Sequence, residues 1–171
     1  LIKRGDEIAN EDIDLFFKCY LNTINKKWSI AYLNYTFFDQ ICKSIIKQKI
    51  VLIQAFKKNV FVGCSLHFIG EKNLYGRYWG CLKEIPFLHF ELCYYSAIEF
   101  AIKNNLKKVE AGAQGEHKIA RGYEPKLTYS NHWFNHSKLS PLIKKFLTEE
   151  KKKVKDTINY LNQFLPFKKK V

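Results

Sequence analysis

The stretches Ile50-Val-Leu-Ile-Gln-Ala-Phe56, Val60-Phe-Val-Gly-Cys-Ser-Leu-His-Phe-Ile69 and Leu74-Tyr-Gly-Arg-Tyr-Trp-Gly-Cys81 are rich in β-branched and aromatic residues. Only Lys57-Lys58-Asn59 and Gly70-Glu71-Lys72-Asn73 separate them. Such side chains pack well on a pleated surface, and breaks this short join antiparallel neighbours, so the region predicts a three-stranded meander. Before it, Ile13, Phe16, Phe17, Tyr20, Leu21 and Ile24 recur at helical spacing from a cap at Asn10 to about Lys27. Thr36 with Asp39 resembles a capping box, and Phe37, Ile41, Ile45 and Ile46 continue a second helical stripe.

After Pro86, the residues Phe90, Cys93, Tyr94, Ala97, Ile98, Ala101 and Ile102 form the clearest helical stripe, ending near Asn104-Asn105. Lys108 to Gly112 reads as a short strand. Because a helix precedes it, a crossover would lay it parallel to the strand ending at Cys81, giving a mixed sheet. Gly115 to Tyr123 is predicted as a polar loop or one-turn helix, Lys126 to Asn135 as a further strand region, and 139–165 as a helix with a lysine face. The expected class is α/β (α+β), a mixed central sheet flanked by helices, in one domain spanning 1–171.

The chain has 171 residues, 29 Lys+Arg against 16 Asp+Glu, and a formal net charge of +13. That charge points to an anionic partner, such as nucleic acid, a phosphorylated cofactor or a membrane surface. Nearly all of it is lysine in a chain also rich in Ile, Asn, Phe and Tyr, a pattern that codon bias in an AT-rich genome produces. The three arginines, Arg4, Arg77 and Arg121, are therefore the more informative cations. No apolar stretch has the length of a membrane span, and the expected location is the cytoplasm. With Leu1 first and no methionine anywhere, the sequence reads as a piece of something longer. Cys19, Cys42, Cys64, Cys81 and Cys93 form no CxxC pair and read as reduced core thiols; a zinc site from Cys64, Cys81 and His67 would lack paired spacing, and no metal is expected.

Glu110-Ala-Gly-Ala-Gln-Gly-Glu-His-Lys-Ile-Ala-Arg-Gly-Tyr123 is the densest polar constellation, and it starts at a strand end, where ligands bind in α/β sheets. Gly112 and Gly115 allow backbone amides to approach an anion or oxyanion; Glu110, Glu116 and His117 offer a general base; Lys118 and Arg121 can neutralise phosphate or carboxylate. A polar loop with a capped short helix has the same composition. Strand alternation puts Tyr75, Arg77 and Trp79 on one face of the third strand, where a buried Arg77 needs either a ligand or an ion pair with Glu91 or Glu110. His89 and Glu91 open the long helix, where Glu91 also suits the helix dipole. His132, beside Trp133, fits a sheet position.

Leu74-Tyr-Gly-Arg-Tyr-Trp-Gly-Cys81, Pro86-Phe-Leu-His-Phe-Glu-Leu-Cys-Tyr-Tyr95, the 110–123 constellation, Thr128-Tyr-Ser130 and His132-Trp133 closely resemble a bacterial family of GNAT-like N-acetyltransferases, also described as Fem-type peptidoglycan biosynthesis or recognition proteins. The resemblance covers most of the chain and matches the C-terminal half of typical members. It implies a GNAT-like acyl-CoA N-acyltransferase fold and transfer of an acyl or aminoacyl group, from acyl-CoA or aminoacyl-tRNA, to a small-molecule or peptide amine. The candidate catalytic residues are then Glu116, His117 and Glu110. The candidate substrate- or donor-binding residues are Arg77, Tyr78, His89, Glu91, Gly112, Gln114, Gly115, Lys118, Arg121 and Tyr123. The sequence departs from the fold family in one respect: Leu82 to Leu88, before the long helix, contains no glycine where a phosphate cradle needs one. An alternative function follows from that departure, a non-catalytic module binding a cell-wall precursor or nucleic acid.

Overall fold

The computed structural model describes residues 1–26, 28–112, 115–135 and 138–167. They fall into two compact units, Leu1–Ala113 and Gln114–Val171.

The first unit is a five-stranded sheet in the order β1 (Ile2–Arg4), β2 (Ile50–Lys57), β3 (Val60–Ile69), β4 (Asn73–Cys81) and β5 (Lys108–Glu110). The meander β2-β3-β4 is antiparallel, and β5 joins β4 in parallel, with Asn73 opposite Lys108 and Tyr75 opposite Glu110. The helical connection imposes that direction, as the sequence predicts. β1 went unread: three residues at a chain end carry too little periodicity to separate from coil.

Both faces of the sheet are covered, because β2 alternates two apolar sets. Ile50 and Leu52 point to one side, against Phe16, Cys19 and Tyr20 of α1 (Asn10–Lys26) and Phe38 of α2 (Tyr35–Lys43). Val51 and Ile53 point to the other, against Leu88 of α3 (Leu88–Phe90), Leu92 of the π-helical turn Glu91–Tyr95, and Ala97 and Phe100 of α4 (Ser96–Lys103). These three segments follow one another without a break and form the long helix read from the sequence. The caps differ in detail. Asn34, not Thr36, caps α2 by accepting from the Phe37 amide at 3.0 Å. Asp12 accepts from the Ala9 amide at 2.8 Å at the start of α1.

Asp12 is also the centre of a buried polar network. Both of its oxygens accept from Lys3 Nζ at 2.9 Å, and one accepts from Gln54 Nε2 at 2.9 Å. Burial pushes this carboxyl up, but the hydrogen bonds from Lys3, Ala9 and Gln54 outweigh it and hold the group below its ordinary value.

The second unit contains a 3-10 turn, Glu116–Arg121, and the 24-residue α5 (Leu139–Asn162). The strand predicted for 126–135 is absent among the described residues: 124–135 is irregular. Its alternating aromatics imitate a strand without a sheet edge of their own to join. Among the described residues no helix is long and apolar enough to cross a membrane.

Candidate functional site

The first unit's sheet opens where β5 ends. β5 accompanies β4 only as far as Tyr75, whereas β4 runs on to Cys81. β4 also changes register there: Gly76 faces His67 and Tyr78 faces Leu66, so Arg77 is an extra, bulged residue. A bulge re-aims every side chain beyond it. Tyr78 therefore packs with Phe16 and Tyr20 on the α1 side, while Trp79 and Cys81 join Leu88 and Leu92 on the other.

This corrects the expected alternation of Tyr75, Arg77 and Trp79, and with it the reading of Arg77 as a buried cation seeking a carboxylate. Arg77 is exposed. Its Nη2 donates to Tyr32 Oη at 3.4 Å and its guanidinium lies 4.8 Å from the centroid of the Tyr78 ring. Neither Glu91 nor Glu110 pairs with it: Glu91 accepts from Ser96 Oγ at 2.9 Å, and Glu110 Oε1 from Asn73 Nδ2 at 3.0 Å. Tyr78 and Tyr32 share a hydrogen bond of 2.7 Å, and burial, then that bond, pushes the Tyr78 phenol well up.

Beside the far end of β4 lies a pocket of about 630 Å³. Thr23 and Lys26 of α1, Trp79 and Cys81 of β4, and the connection from Glu84 to Phe90 line it. α1 can come this close because Gly80 has no side chain, and its helix then supplies donors to the β4 carbonyls: Thr23 Oγ1 to Trp79 at 3.1 Å and Asn22 Nδ2 to Cys81 at 2.5 Å. His89 packs on Trp79 with ring centroids 4.5 Å apart, and Lys26 pairs with Glu84 at 2.7 Å at the rim. Phe87, 77% exposed, takes the left-handed conformation at φ 65°, one that a bulky residue adopts only where its surroundings demand it.

Several backbone amides of that connection are already engaged. The Leu88 amide already donates to Ile85 O at 3.2 Å, and the Phe90 and Glu91 amides to Phe87 O at 2.9 and 3.1 Å. An anion at this helix start would have to displace bonds already made.

On the α4 side of β3, two adjacent same-face residues are polar and wholly buried, Ser65 and His67. Ser65 Oγ donates to Leu92 O at 3.0 Å and lies 2.8 Å from His67 Nε2. Nδ1 has no hydrogen-bond partner among the described residues, and burial lowers the imidazole to about 4. The sequence reading met His67 only as a doubtful zinc ligand. Its signal was the polar pair at alternate positions in an otherwise apolar strand. Among the described residues no group of three His, Cys, Asp or Glu side chains could hold a metal, and none of the five cysteines is in a disulfide.

Of the predicted 110–123 constellation, Glu110 ends β5, and Gly112 follows at φ 74° in the first unit. Gln114 lies outside the described residues. In the second unit Gly115 holds φ 95° and precedes exposed Glu116 and His117 and half-buried Lys118 on the 3-10 turn, ahead of Arg121 and Tyr123. Arg121 Nη1 donates to the His117 carbonyl at 2.6 Å. His132 is not in a sheet; its Nε2 lies 2.9 Å from Ser130 Oγ. A separate hollow of about 440 Å³ between 125–127 and α5 is flanked by Lys126 and Lys155.

The family model FemAB-like, described as peptidoglycan biosynthesis/recognition, matches residues 2–169. The chain belongs to this family. Among solved structures, this FemAB-like chain is similar to an aminoglycoside acetyltransferase from an uncultured soil metagenomic sample, in its complex with sisomicin (TM-score 0.51) and with trehalose (TM-score 0.50). Each comparison has 12% identity and covers 80% of this chain and 95% of the other. At that identity the likeness is one of fold, and the FemAB-like chain has the GNAT-like architecture. No curated protein matches it.

Proposed function

We propose that this FemAB-like domain is an N-acyltransferase that moves an acyl or aminoacyl group onto an amine of a cell-wall precursor. The observation that carries the reading is the parting of β5 from β4 beyond Tyr75, with the Trp79–Phe90 pocket at the far end of β4. An open strand edge next to a pocket at strand carboxyl ends is a binding arrangement that α/β sheets favour. The family description supports a peptidoglycan-related acceptor.

The engaged amides before α4 disfavour a pyrophosphate there, so the reading takes aminoacyl-tRNA as the first donor to test and acyl-CoA as the second. The net charge of +13 suits the former, and both donors are cytoplasmic. In the first unit, Gly112 is proposed to present an amide to a developing oxyanion, and in the second, Gly115, Lys118 and Arg121 are proposed to bind phosphate. Glu110, Glu116 and His117 are candidates for the group that takes the amine's proton.

The test is transfer of labelled acyl groups from aminoacyl-tRNA or acetyl-CoA to a muropeptide by the full protein. Product with one donor supports the reading. Salt-sensitive binding of any polyanion, without product, would instead support a non-catalytic binding module, which the missing glycine cradle favours.

A further inference from the structure

We infer that the pocket at the far end of β4 is an adenine site, in which the aromatic walls stack on the base and the Lys26–Glu84 pair reads its edge. Aminoacyl-tRNA carries its acyl group on a terminal adenosine and acyl-CoA ends in an adenosine phosphate, so this base is common to both donors. The choice of adenine rests on the transferase reading; the existence of the site does not. The cavity of about 630 Å³ has the size of small-molecule sites, about 300–1,000 Å³. Trp79, Phe87, His89 and Phe90 bring flat aromatic rings to it, and bases stack on such rings. Phe87 has the most open face: it is 77% exposed, stacks on Phe90 with centroids 6.4 Å apart, and is held at φ 65°. Backbone conformations this sparsely populated cluster at ligand clamps.

The rim supplies the polar groups. Glu84 Oε1 accepts from Lys26 Nζ at 2.7 Å, and both residues line the pocket. An acceptor and a donor thus stand side by side, the arrangement with which an asparagine or glutamine amide reads the amino group and adjacent ring nitrogen of adenine. Neither group is used up by the pairing: the carboxylate has a second oxygen and the ammonium has further hydrogens. Their side chains are 82% and 45% exposed, so both can turn to a ligand in the mouth.

Charge favours a base here over a phosphate. The pair is neutral as a unit, and the amides of Leu88, Phe90 and Glu91 already donate within the chain, so nothing in the pocket offers an anion a surplus of positive charge or of donors. Below the rim, Thr23 commits its hydroxyl hydrogen to the Trp79 carbonyl at 3.1 Å, and Ile85, Pro86 and Leu88 complete an apolar wall. An apolar acyl chain is the rival occupant. It would use the same walls and leave the ion pair without a role.

The test titrates adenosine, purine riboside (adenosine without its amino group), guanosine and octanoate into the full protein and follows the indole N–H resonances. Trp79 lines the pocket, whereas Trp28 and Trp133, 97% and 82% exposed, lie outside it and serve as controls. Adenosine should shift the Trp79 resonance saturably and leave the other two in place; no saturable shift, or equal shifts at all three, overturns the site. Adenosine should bind about fivefold tighter than purine riboside, and Glu84→Ala should erase that difference without weakening purine riboside. Phe87→Gly, which takes φ 65° freely, should weaken both about tenfold. Guanosine binding as tightly as adenosine, or octanoate binding more tightly, overturns the assignment of the base. Bound adenosine should be displaced by the trinucleotide CCA if tRNA is the source and by desulfo-coenzyme A if acyl-CoA is; displacement by neither overturns the inference. Adenosine binding without acyl transfer would sink the transferase reading and keep the site, and transfer without adenosine binding would sink the site alone.

Discussion

The backbone of Gly80 in β4 lies directly under the carbonyl of Cys19 in α1, so close that any Cβ on Gly80 would overlap it. This contact sets the distance between helix and sheet, and so lets Asn22 and Thr23 reach the β4 carbonyls and form one wall of the pocket. Gly80→Ala must push α1 outward. It should cost about 1–3 kcal/mol in a denaturant melt, as overpacking does, and reduce donor binding beyond what the stability loss explains.

Acid should act on the first unit in two separate windows. The upper belongs to His67. Its folded value is depressed to about 4, whereas the unfolded ring takes a proton near 6.5. The unfolded state therefore binds more protons between these values, and stability falls as pH drops through that range, by about 3 kcal/mol in all. Urea melts across pH 4 to 7 check this, and His67→Asn should remove the slope.

The lower window belongs to Asp12. Its carboxyl is held below the ordinary value, so its contribution is complete above the unfolded pKa of about 4 and is lost as pH falls through the folded one. Asp12→Asn should cost about 1–3 kcal/mol at neutral pH, because Lys3 and Gln54 lose a charged acceptor, and should leave a flatter acid limb. A melt showing no loss at neutral pH would contradict the network.

The meander, the two helices before it and the long helix after it were legible because each repeats its period over enough residues, whereas the three-residue β5 was legible from its place after that helix, where a crossover demands a parallel strand. The site was legible in part. Ser65 and His67 are polar residues in an apolar strand, a signal the sequence reading did not use, and their setting depends on the Leu92 carbonyl, distant in sequence. Arg77 was misread because a one-residue bulge cannot be seen in an alternating pattern, and it turns a buried position into an exposed one. The aromatics of 126–135 suggested a strand, which forms only where a partner edge is available.

If Glu116 or His117 takes the amine's proton, the matching variant, Glu116→Gln or His117→Ala, should lower kcat by about 100-fold. Both side chains are exposed, so folding should change by only about 0.5 kcal/mol. Wild-type kcat in both variants would leave Glu110 as the remaining candidate.

The central claim is that the opened edge of β4 and its pocket hold an acyl donor for transfer to an amine. The most direct measurement is single-turnover transfer of a labelled aminoacyl group to a muropeptide by wild type and by Cys81→Trp, whose indole would fill the pocket. The account predicts labelled product from the wild type and, from a folded Cys81→Trp, a donor affinity at least about tenfold weaker, a difference of about 1.4 kcal/mol. Equal affinity and equal product in the two proteins would contradict it.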